Sequence, residues 1–247
     1  MVPKLPSNLT ELLEGSMILI DKPLGWTSFD VVNKIKGFVR SQVKILKNQQ
    51  GDQPRFKIGH AGTLDPLATG LLVVCTGKLT KQIEQVQLGI KEYTGTICFG
   101  QTTPSFDLET EPNASFPVDH LNLERIQKAA AQLTGAIWQT PPSYSAKQIN
   151  GKRAYNLARK GIEVEIPKVE IHVDAFEITS FENHSAQFKI RCSKGTYIRS
   201  LADSLGKGAD SGAHLSSLRR TESKPFRVEE AIEMDPLLAY LRGLPHE

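Results

Sequence analysis

No stretch of this 247-residue chain has the unbroken apolar length of a membrane span, and its N-terminus lacks a signal-peptide pattern. A cytoplasmic protein without a membrane partner is the default that follows. Cysteine is scarce: the three, Cys75, Cys98 and Cys192, lie far apart in apolar runs, with neither metal-ligand spacing nor an obvious partner. They are expected to be buried, reduced thiols. The six histidines are equally scattered, so no metal site is expected. A strong charge of one sign is also missing, because 30 basic residues oppose 27 acidic ones for a net +3. There is no internal repeat and no low-complexity tract. What remains is ordinary soluble composition, 39% hydrophobic and 23% charged, in a chain long enough to bury a substantial core.

The small net charge hides an uneven distribution, and distribution matters more than the sum. From Lys34 to Lys57 the chain carries Lys34, Lys36, Arg40, Lys44, Lys47, Arg55 and Lys57 against Asp52 alone. A second basic stretch includes Lys147, Lys152, Arg153, Arg159 and Lys160, and a third runs from Arg191 to Arg227. Taken singly, each reads as a solvated face. Three that flank candidate site motifs point toward a surface that tracks phosphates.

Periodicity and turn chemistry predict a strand over 16–21, a turn over 22–28, and a helix N-capped by Ser28 with apolar positions Val31, Val32, Ile35 and Phe38. Residues 41–57 read as a basic loop. Strands are expected at 71–75 and 91–99, with a helix near 79–87 between them and a polar loop over 101–117 after them. An amphipathic helix over 122–133 closes at Gly135. A proline-rich insertion spans 140–161. Two long antiparallel strands (164–181, 186–192), a helix over 196–205, a strand over 214–219 and a short acidic helix near 228–233 complete the chain. The mixture implies an α+β fold around a mixed, largely antiparallel central sheet with flanking helices.

The most informative segment is Gly59-His60-Ala61-Gly62-Thr63-Leu64-Asp65-Pro66-Leu67-Ala68-Thr69-Gly70. Its glycines let the backbone turn tightly beside a bulky ligand. Pro66 biases Asp65 toward an extended conformation and restricts where the carboxylate points. On local chemistry alone the better reading is an Asp-Pro turn start. However, the segment resembles the catalytic loop of the bacterial TruB family of pseudouridine synthases, Gly-His-x-Gly-x-Leu-Asp-Pro-x-Ala-x-Gly. Five more stretches resemble the same family in the same order: Lys22-Pro23-Leu24-Gly25, Lys91-Glu92-Tyr93-Thr94-Gly95, Gln139 through Gly161, Arg191 through Leu201, and Gly212 through Thr221.

The resemblance implies a catalytic domain over 1–227 with the pseudouridine synthase fold and a basic RNA-gripping insertion at about 140–161. Residues 228–247 are expected to be a short tail, too short for a complete PUA-type domain. The implied activity is isomerisation of uridine 55 in the TΨC arm of tRNA to pseudouridine, by base flipping and without cofactor or metal. Asp65 would act covalently, Tyr93 would lie against the uracil ring, and Arg199 would complete the catalytic group. A buried arginine needs a carboxylate partner, and Asp65 is the obvious candidate. His60 would fill the space left in the RNA stack, Leu218 would supply an apolar wall, and Tyr197, Lys22, Lys147, Lys152 and Arg153 would complete the substrate contacts. Lys22 and its turn are expected to pack beneath the catalytic loop. The partner is tRNA, with no obligate protein partner and a monomer as default. Other readings are a guide-dependent synthase, an RNA chaperone with Asp65 idle, or a glycosidase-like site, which would need a second carboxylate.

Overall fold

The computed structural model describes residues 3–47, 56–145, 147–149, 151–162 and 165–245. In chain order the principal elements are α1 (Leu9–Glu14), β1 (Met17–Lys22), α2 (Ser28–Lys47), β2 (Ile58–Ala61), β3 (Ala68–Thr76), α3 (Ile83–Gln87) and β4 (Lys91–Phe99). They continue with α4 (Leu123–Ala131), β5 (Gly135–Gln139), α5 (Ala154–Ala158), β6 (Val169–Glu182), β7 (Ser185–Cys192), α6 (Ile198–Gly208), β8 (Ala213–Ser223), β9 (Ile232–Glu233) and α7 (Met234–Arg242). They form two compact units: Met1–Gly89 with Arg219–Glu247, and Ile90–Leu218. The fold is α+β, and its sheet is mixed and largely antiparallel, as the sequence predicts.

In the first unit, β1 pairs antiparallel with β3 from Met17↔Cys75 to Lys22↔Gly70 and parallel with β9 at Ile20↔Ile232. Strand β2 pairs antiparallel with β3. Eight of the nine β3 positions are buried, which is why this strand reads as an unbroken apolar run. Alternation along β1 and β3 feeds two cores. Ile18, Ile20, Leu72 and Val74 pack with Leu12 of α1, Val31, Ile35 and Val39 of α2, and Leu237 and Leu241 of α7. Met17, Leu19, Leu71, Val73 and Cys75 pack on the other face with Ala61, Phe226 and Val228.

In the second unit β4, β7, β6 and β5 pair antiparallel in that order. Phe176 and Phe188 meet edge to face at 6.2 Å, as do Phe99 and Phe181 at 5.9 Å. Helix α4 buries Ile126, Ala129 and Ala130, and its N-cap Asn122 side chain accepts from the Arg125 amide.

Several boundaries depart from the sequence expectation. Helix α2 continues to Lys47 instead of giving way to a loop at 41, because no glycine or proline interrupts residues 38–47; the rest of the expected loop, 48–55, lies outside the described residues. Its cap is Thr27 rather than Ser28. Thr27 and Asp30 form a reciprocal box, Asp30 N–H donating to Thr27 Oγ1 at 2.9 Å and Thr27 N–H to Asp30 Oδ2 at 2.9 Å. The short strand β2 gave no periodic signal because it contains Gly59 and is only four residues long. Gly135, expected only to close a helix, has φ +93° and opens strand β5. Strand β6 begins at Val169, after Pro167; residues 165–168 of the expected strand are irregular, and its start at 164 lies outside the described residues. The acidic helix near 228–233 is a 3-10 turn, Val228–Glu230, followed by strand β9. The last residues form α7, whose Met234, Leu237, Leu238 and Leu241 follow the helical period and are buried.

Candidate active site

In the first unit Asp65 sits on the turn between β2 and β3, half-buried, between the buried Leu64 and the half-buried Pro66. Almost every backbone group around it is fixed. The Leu64 amide donates to Ser28 Oγ at 2.8 Å, and the Ser28 hydroxyl lies 3.1 Å from the Leu64 carbonyl. Gly25 N–H donates to the Pro66 carbonyl at 2.8 Å, so the Lys22-Pro23-Leu24-Gly25 turn does underlie the loop. Ala68 N–H closes the turn on the Asp65 carbonyl at 3.1 Å. Ser28 does not cap the helix because its hydroxyl is spent on the loop.

Arg220, 1% exposed, spans the base of the same loop. Its Nε donates to the Leu71 carbonyl at 2.7 Å and its Nη2 to the Gly62 carbonyl at 3.1 Å. Gly62 and Gly70 have φ of +88° and +98°, the left-handed region that favours glycine. A Cβ on Gly70 would also lie 2.3 Å from the Arg220 carbonyl oxygen. Arg220 and its two glycines were not singled out as a loop clamp by the sequence reading. The paired glycines flanking the Asp-Pro step were the available signal.

Lys22 is fully buried, with Nζ donating to the Pro23 carbonyl at 2.9 Å and the Trp26 carbonyl at 2.6 Å. It therefore lies beneath the loop, with its ammonium held by two backbone carbonyls. Burial pushes its pKa down to about 8, although the negative charge of Asp65 works against this. His60 on β2 is half-buried, and burial, with the Arg220 charge second, holds its imidazole below the ordinary histidine value. Its Nδ1 has no hydrogen-bond partner among the described residues.

In the second unit Tyr93 is buried on β4, opposite Ile190 of β7. Arg199 is in the first turn of α6, as expected, and 4% exposed. Its Nε lies 3.5 Å from Asp107 Oδ2, Nη1 donates to the Ser105 carbonyl at 3.1 Å, and Nη2 to the Tyr144 carbonyl at 2.9 Å. Asp107 is a carboxylate partner that sequence reasoning missed. It sits in a polar loop that gives no periodic signal, held by its own bonds: Thr103 Oγ1 donates to the Asp107 carbonyl at 2.7 Å, and Glu109 N–H to Asp107 Oδ1 at 3.0 Å.

The expected RNA-gripping insertion is stitched to this arginine. Tyr197, half-buried, exchanges two bonds with the side chain of Gln139: its N–H donates to Oε1 at 2.8 Å and its carbonyl accepts from Nε2 at 3.0 Å. Ser200 Oγ donates to the Thr140 carbonyl at 2.8 Å. Within the insertion Arg159 lies over the Tyr155 ring at 4.5 Å, and Tyr155 meets Tyr144 edge to face. Lys147 donates to the Pro167 carbonyl at 3.2 Å, while Lys152 and Arg153 form a short strand paired with Gln148–Ile149. Residues 146 and 150 of the insertion lie outside the described residues. Leu218 is half-buried on β8.

No group of three or more His, Cys, Asp or Glu residues among the described residues is arranged to hold a metal ion. Burial pushes the Cys75 and Cys192 thiols up to about 11, so both stay protonated and inert at neutral pH. No helix among the described residues is long and apolar enough to cross a membrane.

Comparison with known proteins gives these features a context. The family described as "TruB family pseudouridylate synthase (N terminal domain)" matches residues 44–198. The tRNA pseudouridine synthase B of Flavobacterium johnsoniae is 50% identical over 224 residues, covering 91% of this chain and 95% of that protein. The same-named protein of Phocaeicola vulgatus is 44% identical over 228 residues, covering 92% and 94%. Among solved structures, a chain of a Cbf5-Nop10-Gar1 complex superposes with a TM-score of 0.67 at 28% identity, covering 94% of this chain and 55% of that one. A chain of an H/ACA RNP bound to a substrate RNA containing 2'-deoxyuridine gives 0.64 at 26% identity, covering 94% and 54%. This chain thus spans about half the length of those structural relatives.

Proposed function

Because the chain belongs to the TruB family of pseudouridylate synthases, we propose that it isomerises uridine 55 in the TΨC arm of tRNA to pseudouridine, with Asp65 as the covalent residue. The curated relatives carry the name tRNA pseudouridine synthase B at up to 50% identity, and this supports tRNA as the substrate class. A tRNA substrate also supports a cytoplasmic site of action. The observation that carries the assignment of Asp65 is the clamped loop. Ser28, Gly25 and Arg220 fix the backbone on both sides of a carboxylate that remains half-exposed. Such preorganisation is what a covalent group needs to meet its target in a fixed geometry.

The chemistry is balanced without an added reagent. The bond from ribose C1′ to uracil N1 breaks, a bond from C1′ to C5 forms, C5 loses a proton and N1 gains one. The product is an isomer, so no oxidant, reductant or group donor is consumed. A carboxylate ionised at pH 7 serves as a nucleophile that can also leave again. The target uridine must leave its stack to be reached, at a cost of a few kcal/mol. Tyr93 is assigned to the face of the flipped base, where stacking recovers about 1–3 kcal/mol. Arg199, held by Asp107 and two carbonyls, is assigned to the catalytic group as its fixed positive charge. A neutral His60, with Tyr197 and Leu218, completes the contacts to the displaced nucleotide. Lys147, Lys152 and Arg153 are assigned to the RNA backbone. The enzyme is proposed to act as a monomer, without metal, cofactor or protein partner.

Tritium release from C5 of the target uridine in a TΨC stem-loop transcript tests this reading. Wild type should release tritium in full stoichiometry, and Asp65→Asn should release none while still binding the RNA. Release only in the presence of a guide RNA would replace this reading with a guide-dependent one.

A further inference from the structure

The turn that underlies the catalytic loop carries two large apolar side chains that the core does not use. Leu24 is 64% exposed and Phe29 is 65% exposed. Their sequence neighbours line an open cleft of about 500 Å³, formed by Gly25, Trp26, Asp30, Asn33 and Lys34. This cleft adjoins Asp65 through the chain, since the Gly25 amide is bonded to the carbonyl of Pro66 at 2.8 Å.

Helix α2 continues the same surface away from the loop. Phe29, Asn33, Lys36 and Arg40 recur at helical spacing and form one stripe, with Val31, Val32, Ile35 and Val39 buried on the opposite side. Phe29 and Arg40 are about 16 Å apart along the axis at 1.5 Å per residue. Asp30 is the only acidic residue of α2, and its carboxylate is turned back onto Thr27 N–H at 2.9 Å and Thr27 Oγ1 at 2.6 Å. Lys34, Lys36 and Arg40 make no ion pair among the described residues.

A solvated basic helix face would account for the cations alone, and a single exposed apolar residue needs no account. Neither explains an exposed aromatic ring and leucine, next in sequence to the residues that line a cleft, at the head of a cationic stripe. An aromatic platform that leads into a line of cations is the combination that holds nucleic acid, bases on the ring and phosphates on the line. We propose that Leu24, Phe29, Asn33, Lys36 and Arg40 form a second tRNA-contacting surface beside the catalytic loop, which takes an unpaired base on Phe29 and the adjoining backbone on the helix. The inference rests on the tRNA reading above and adds a surface that the family motifs do not name.

The test uses the full chain and a full-length tRNA transcript, with affinity measured by filter binding across a salt series. Phe29→Ala should weaken binding about fivefold or more, the effect of losing one stacked base, and Phe29→Tyr, which keeps the ring, should bind like wild type. Lys36→Gln with Arg40→Gln should make the slope of log K against log salt shallower by about 1.4, the value for two single-strand phosphate contacts. Affinity and slope within twofold of wild type in all variants would overturn the surface, as would equal losses in Phe29→Ala and Phe29→Tyr. C5 tritium release by wild type on the same transcript separates the two readings. Release with unchanged variant affinities sinks the surface alone. No release, with binding that Phe29→Ala still weakens, sinks the uridine isomerisation and leaves the surface standing.

Discussion

A lysine with no exposed surface sits beneath the loop that carries Asp65, and its two backbone acceptors do not fully replace the water it lost. Its pKa is accordingly about 8 in the folded chain against 10.5 for the free group. At pH 7 both folded and unfolded chains hold this proton, so it adds no pH dependence there. Between pH 8 and 10.5 the unfolded chain binds a proton the folded chain has released, so Lys22 makes stability rise with pH. The rise is at most about 3 kcal/mol. Urea unfolding of wild type and Lys22→Met should therefore show the wild type gaining on the variant from pH 7.5 to 10. A constant difference across that range would mean that Lys22 is not desolvated in solution. Arg220, equally buried beside it, cannot respond in this way because guanidinium stays charged throughout.

At the scale of elements, the loop between β2 and β3 is rigid because three other segments hold it, through Gly25, Ser28 and Arg220. Gly70, with φ +98° and no room for a Cβ against the Arg220 carbonyl, is where that clamp tolerates least change. Gly70→Ala should lower stability by about 1–3 kcal/mol through backbone strain alone, and more if the Arg220 contact is displaced. It should also cut C5 tritium release well beyond the fraction unfolded, because the strand that anchors Asp65 must shift. Thermal melting together with tritium release checks both; full turnover in a folded Gly70→Ala protein would show that the loop position is not set here. In the second unit the same logic applies to the basic insertion, whose root at Gln139 and Thr140 is fastened to Tyr197 and Ser200 of α6.

Across the whole molecule, two units each bury their own core, and the first is closed by the far end of the chain. Leu237 of α7 is fully buried against β1, β3, α1 and α2. Leu237→Ala should cost about 2–5 kcal/mol, read as a fall in the denaturant midpoint, and hydrogen exchange should quicken in β1 and β3. A loss under 1 kcal/mol would mean that the helix adds little to this unit. The sequence by itself determined what depends on neighbours along the chain. The buried run of β3 and the apolar period of α4 were legible because strand and helix impose fixed spacings on nearby residues. The turn around Asp65 was legible because proline fixes its own φ and glycine admits the positive φ that other residues avoid. Tertiary structure alone decided that Asp107 pairs with Arg199, that Ser28 clamps the loop rather than capping α2, that Lys22 is buried, and that residues 234–242 complete a core. Those choices are made by packing and charge compensation between segments far apart in sequence, and a buried arginine announces that it needs a carboxylate without saying which one.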